Sequence, residues 1–319
     1  MKEGRTTVYN EITSKEKLDK VNEENKQLEE DFLEYLVSTD KAKTTIIQYR
    51  AALHIFWCWN LESNKNKSFV ELTKREVARF QNNALNNWGW SSRRMRMVKS
   101  VMRSLENYII NILDEDYPNY KKIWDKIESP VNEPVREKSV FTIEELQPLL
   151  DHLVENEEYM KACLLSLIMN SGRRKSEIVL FKASYFKDEY LICEGALYKS
   201  PEKIKTKGRG QRGKMLYVYT LAKPFKPYLD LWLAEREKLG VTSDWLFPKC
   251  KNGEWTDEHI PTSTIDSYAR SFTNFLGKPY YAHSGRHLFV SELAANGIPD
   301  SVIKDIVGWS SVEVRHVCN

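Results

Sequence analysis

HSGRH at residues 283–287 and VGWSS at residues 307–311 decide how this chain is read. In the first stretch His283 and Arg286 are three residues apart, so a helix presents both on one turn. The second delivers an indole, Trp309, after a fixed gap. Upstream, NSGRRKSE at residues 170–177 sets Arg174 and Glu177 at the same three-residue spacing. Between the two arginine motifs lies KIKTKGRGQRGK, residues 203–214, with six basic residues and no acidic one. Ten positions after Gly308 stands Cys318.

Working outward, the residues around these motifs read as helix, hairpin and helix. Thr142 and Glu145 have capping-box spacing and open a helix that leads to an apolar one over 158–170. Strand-like runs follow at 189–193, 196–199, 203–207 and 214–220, with Gly208, Gly210 and Gly213 between the last two, which predicts a small antiparallel sheet ending in a basic hairpin. Helices return at 225–238, 263–276, 284–296 and 299–307, two of them stopped by Gly277 and Gly297. The first half reads as helices over 14–38 and 42–60, a third opened by Thr73 and Glu76, and a fourth starting near Ser92. That fourth helix turns Met95, Val98, Met102, Leu105 and Ile109 to a core, and Arg96, Lys99 and Arg103 to another face. Pro118, Pro130 and Pro134 interrupt periodicity and mark a linker at 129–139.

Composition narrows the classes. The chain has 319 residues, enough for two domains with their own cores. A hydrophobic share of 41% and a mean hydropathy of -0.55 describe a soluble protein without a membrane span. The segment after Met1 is mixed in charge and lacks an apolar stretch, which predicts a cytoplasmic protein. Five scattered cysteines with no C-x-x-C pair argue against a disulfide framework or a zinc site. The net charge is only +3, but residues 93–103 hold five basic residues and no acid. With the 203–214 cluster this predicts contacts to duplex DNA through Arg93, Arg94, Arg96, Lys99, Arg103, Arg209 and Arg212.

In their order and setting these motifs resemble the tyrosine recombinase and phage integrase family over about residues 25 to 318. The resemblance implies a mainly α fold with a small antiparallel sheet (α+β). It implies an N-terminal extension over 1–24, a helical core-binding domain over 25–128, the linker, and a catalytic domain over 140–319 that is shorter at its C-terminus than its relatives. It makes Arg174 and Arg286 the two catalytic arginines, His283 the catalytic histidine, and Trp309 the aromatic that replaces a second histidine in some members. Lys205 or Lys207 is the hairpin lysine, Lys205 being slightly preferred. Glu177 and His287 are supporting residues, and Cys318 stands where the family carries its nucleophilic tyrosine.

The residue types suit that chemistry. Cleaving a DNA phosphodiester builds negative charge on its non-bridging oxygens, which two permanently charged guanidinium forks can meet. A lysine can protonate the departing 5′ hydroxyl, an imidazole can share the nucleophile's proton, and an indole N–H can donate to a phosphate oxygen. No carboxylate cluster or His/Cys metal set is seen, so the expectation is chemistry without a metal or other cofactor. The expected partner is double-stranded DNA, bound by a homo-tetramer on paired sites, with no membrane. Two other functions fit the same residues: a non-catalytic DNA-binding regulator derived from an integrase, which Cys318 favours, and a type IB topoisomerase-like enzyme.

Overall fold

The computed structural model describes residues 8–131, 139–208 and 213–309. These fall into two compact units, one up to residue 131 and one from residue 139. No helix among the described residues is long and apolar enough to cross a membrane.

The first unit is all helical: α1 Val8–Ile12, α2 Lys15–Asp19, α3 Glu23–Ser38, α4 Lys43–Ser63, α5 Lys74–Asn82 and α6 Ser92–Ile112. What reads in the sequence as one helix over 14–38 is therefore broken, because Ser14 and Asn22 each cap a new helix with a side-chain oxygen. Ile12 and Val21, in the stretch read as an extension, are buried in the same core as the later helices. At the centre of that core Phe56 packs edge-on against Phe80, with ring centroids 5.0 Å apart, and is surrounded by Trp57, Trp59, Phe69 and Trp124. The Thr73 box forms as the spacing predicts, Glu76 accepting the Thr73 N–H at 2.7 Å.

In the second unit, α7 (Ile143–Glu155), α8 (Tyr159–Ser171) and the one-turn α9 (Lys175–Ile178) lead into the strands β1 (Leu191–Ile192), β2 (Leu197–Lys199), β3 (Ile204–Thr206), β4 (Lys214–Leu216) and β5 (Tyr219–Leu221). The predicted sheet is two sheets. The run 214–220 divides, so that β5 joins an antiparallel β1-β2-β5 sheet while β3 and β4 form a separate hairpin. Then come α10 (Ala222–Lys238), a hairpin of β6 (Pro248–Lys251) and β7 (Glu254–His259), α11 (Thr262–Leu276), α12 (Ala282–Ala295) and α13 (Asp300–Val307). The β6-β7 hairpin has no counterpart in the sequence reading, since its strands lack apolar alternation and only Pro248 among their residues is buried.

α8 runs through the middle of this unit, its residues 162–169 all buried, and packs against α7, α10 and α12. Its crossing with α12 is close. A Cβ on Gly285 would lie 2.5 Å from the Ile168 Cγ2, so only glycine lets the two backbones approach this far.

Candidate active site

That crossing builds the site. α8 ends at Gly172, which adopts φ +58° and lies directly against Phe289 of α12; a Cβ there would be 2.3 Å from the Phe289 ring. The Gly172 carbonyl accepts a hydrogen bond from Arg286 Nη1 at 2.7 Å. Arg286 is 3% exposed, and its Nη2 donates to the Val307 carbonyl at 3.1 Å, in the last turn of α13. Gly308, in the left-handed region, ends α13 and delivers Trp309, whose ring centroid is 5.8 Å from the Arg286 guanidinium carbon. The structure thus brings Arg286, Trp309 and the Gly172–Arg174 turn together.

Arg174 caps α9, and its Nη1 donates to Glu177 Oε1 at 3.0 Å. Glu177 is fully buried and also accepts the backbone N–H of Arg174 at 3.3 Å and that of Lys207 at 3.4 Å. One carboxylate therefore ties the first arginine motif to the end of the basic hairpin.

His283 opens α12 beside His287, ring centroids 4.7 Å apart and nearly perpendicular. His283 as a whole is exposed, while neighbouring protein atoms still shield part of its imidazole from solvent. Partial burial first, and then His287, Arg286, Arg174 and Lys207, hold its pKa down to about 4. Lys207 is the hairpin lysine whose charge reaches His283; Lys205 lies in β3 at an exposed position of the alternation. Arg209, Arg212 and Cys318 lie outside the described residues.

The sequence reading overlooks Arg173. It is 1% exposed, and its Nη2 donates to the carbonyls of Tyr217, at 3.2 Å, and Ile306. It thereby joins the β4-β5 connection to the last turn of α13. The only hint in the sequence is the doubled arginine after Gly172, since a tight turn points two consecutive side chains to different surroundings.

The basic stripe of α6 has partners within the first unit. Lys99 is 4% exposed and donates to the Ile127 carbonyl; Arg103 pairs with Asp125; Arg96 donates to the Pro130 carbonyl at 3.1 Å. Farther along the helix, buried Glu106 accepts the N–H groups of Ile123 and Trp124. Residues 123–130 thus answer these three cations, but only Lys99 is covered by them; Arg96 and Arg103 remain exposed. Arg94 lies over the Trp90 ring, 4.6 Å from its centroid, with its pKa lowered by burial, and Arg93 is exposed.

Residues 139–316 match the Phage integrase family. Over 270 residues the chain is 30% identical to the SPbeta prophage-derived recombinase-like protein YomM of Bacillus subtilis (strain 168), covering 82% of this chain and 78% of that protein. The chain belongs to the phage integrase family. This integrase-family chain also shares its fold with a lambda integrase dimer bound to a COC' core site: 14% identity, 98% of this chain and 82% of that one covered, TM-score 0.65. XerH site-specific recombinase bound to a palindromic difH substrate gives 19% identity, 96% and 86% coverage, and a TM-score of 0.62. The mainly helical architecture with small antiparallel sheets is that of the tyrosine recombinases.

Proposed function

We propose that this integrase-family protein binds duplex DNA at specific sites and grips one phosphodiester with Arg174, Arg286, His283 and Trp309. The observation that carries this reading is the gathering of the two arginine motifs around one spot: Arg286 is bonded to the Gly172 carbonyl two residues from Arg174, and both arginines lower the pKa of His283. A cation-rich pocket with one buried carboxylate suits an anion, and its fixed donors suit the charge that grows on a phosphate under attack. His283, held neutral, is able to take the nucleophile's proton. A hairpin lysine, Lys205 or Lys207, would donate the proton to the departing 5′ oxygen.

In the family's reaction the nucleophile bonds to phosphorus, the bond to the 5′ oxygen breaks, and a covalent 3′-phosphoryl intermediate stores the energy for rejoining, on paired sites held by a homo-tetramer. Cys318 occupies the nucleophile's place in the sequence. A thiol is much shorter than a phenol, and misplacing the attacking atom by about 1 Å can cost on the order of a hundredfold in rate. The protein therefore retains the phosphate pocket and is defective in cleavage.

The test is incubation with DNA carrying the ends of its own mobile element, scoring retarded complexes and covalent adducts together, for the natural chain and for Cys318→Tyr. Site-specific binding by both, with adducts abundant only in C318Y, supports the reading. Abundant thiol-linked adducts from the natural chain overturn the cleavage defect, and relaxation of any supercoiled plasmid would point to topoisomerase-like activity instead.

A further inference from the structure

Glu177 presents a problem of charge. It is the acidic side chain bonded to Arg174, and it is completely buried. If Arg174 alone answered that carboxylate, the pair would be neutral, and the arginine's attraction for a phosphate would be largely cancelled at short range. Low local dielectric would also make the bond to Glu177 costly to loosen.

A second cation stands near the other oxygen of the carboxylate. Arg173 Nη1 lies 3.9 Å from Glu177 Oε2, and both side chains are 1% exposed. Its Nη2 serves the Tyr217 and Ile306 carbonyls, while its Nε and Nη1 have no hydrogen-bond partner among the described residues. A role confined to bolting two carbonyls would need only Nη2 and no neighbouring acid. We propose that Arg173 is the counter-ion of Glu177, neutralising the buried carboxylate so that the charge of Arg174 is left for a DNA phosphate.

Arg173 touches no substrate in this arrangement and acts through Glu177, so it is a positioning residue. Burial lowers its pKa to about 10, which leaves it charged at neutral pH. The inference rests on the phosphate-binding role of Arg174 proposed above.

The experiment measures affinity for a short random-sequence duplex by fluorescence anisotropy, with melting temperatures recorded for each variant. Arg173→Met should weaken binding about tenfold, the lower end of what one charge-assisted hydrogen bond provides, as Arg174→Ala should. Adding R174A to R173M should cost nothing more. Glu177→Gln, which removes the charge that needs an answer, should restore binding in the R173M background. Arg173→Lys keeps the charge but cannot span the two carbonyls, so it should melt earlier than the natural protein and yet bind DNA like it; this arm decides the matter even if R173M folds poorly. Weak binding by R173K, or no rescue of R173M by E177Q, would show that Arg173 serves only its carbonyls. If R174A binds as tightly as the natural chain, the phosphate role of Arg174 itself falls, and this inference falls with it.

Discussion

The Gly172 carbonyl oxygen and the Arg286 guanidinium, 2.7 Å apart, join segments separated by 114 residues in the chain. The bond exists because α8 stops in a left-handed glycine just where α12 crosses it. Substituting Gly172→Ala combines a positive φ with a methyl driven into Phe289. The expected loss is about 2–4 kcal/mol, the sum of a strained backbone and an overpacked core. Urea unfolding measures it, and a loss below the scatter of surface substitutions would refute the crossing.

Lys99→Met should leave the slope of log affinity for DNA against log salt unchanged, because the ammonium is spent on the Ile127 carbonyl. Arg174→Ala should reduce that slope by about 1, as expected when the protein neutralises one phosphate fewer. A matching reduction in K99M would return Lys99 to the DNA interface.

Removal of the buried carboxylate of Glu106 strands the N–H groups of Ile123 and Trp124 and the Tyr120 hydroxyl, bonded at 2.6, 3.1 and 3.1 Å. Glu106→Ala should cost about 3 kcal/mol of stability in the first unit, given about 1–3 kcal/mol for each buried group left unanswered. Faster amide exchange at residues 123 and 124 would locate the damage; unchanged exchange there would contradict these bonds.

The depressed pKa of His283, about 4 against an ordinary 6.5, makes stability depend on pH with a definite sign. Between those values the unfolded chain binds more protons than the folded one, so the contribution is whole above 6.5 and fades as the pH falls toward 4. His283→Asn should flatten this part of the profile. Urea midpoints of the two proteins measured at neutral and mildly acidic pH should diverge, with the natural chain losing more.

Helices announced themselves in the sequence wherever a cap and an apolar stripe agreed, as at Thr73 and Thr142. Boundaries failed where a polar cap lay inside a charged run, as at Asn22, because periodicity there is weak on both sides of the break. In the candidate site, the motifs that hold Arg174, Glu177, His283, Arg286 and Trp309 stood out in the sequence, and the roles expected of them came from the family resemblance. Arg173 was not, since nothing in a linear motif tells which of two neighbouring arginines turns inward. The stripe of α6 divides for a related reason: Lys99 turns inward to a carbonyl while Arg96 and Arg103 stay exposed, and the three read alike in a linear pattern.

The crossing at Gly285 has a consequence for how this protein can change. The turn that carries Arg173 and Arg174, and the helix that carries His283 and Arg286, are fixed to each other by buried packing among Ile168, Gly172 and Phe289. The relative placement of the two arginine motifs is therefore set by the folding of the core itself, so a substitution at this seam disturbs both motifs at once rather than one of them.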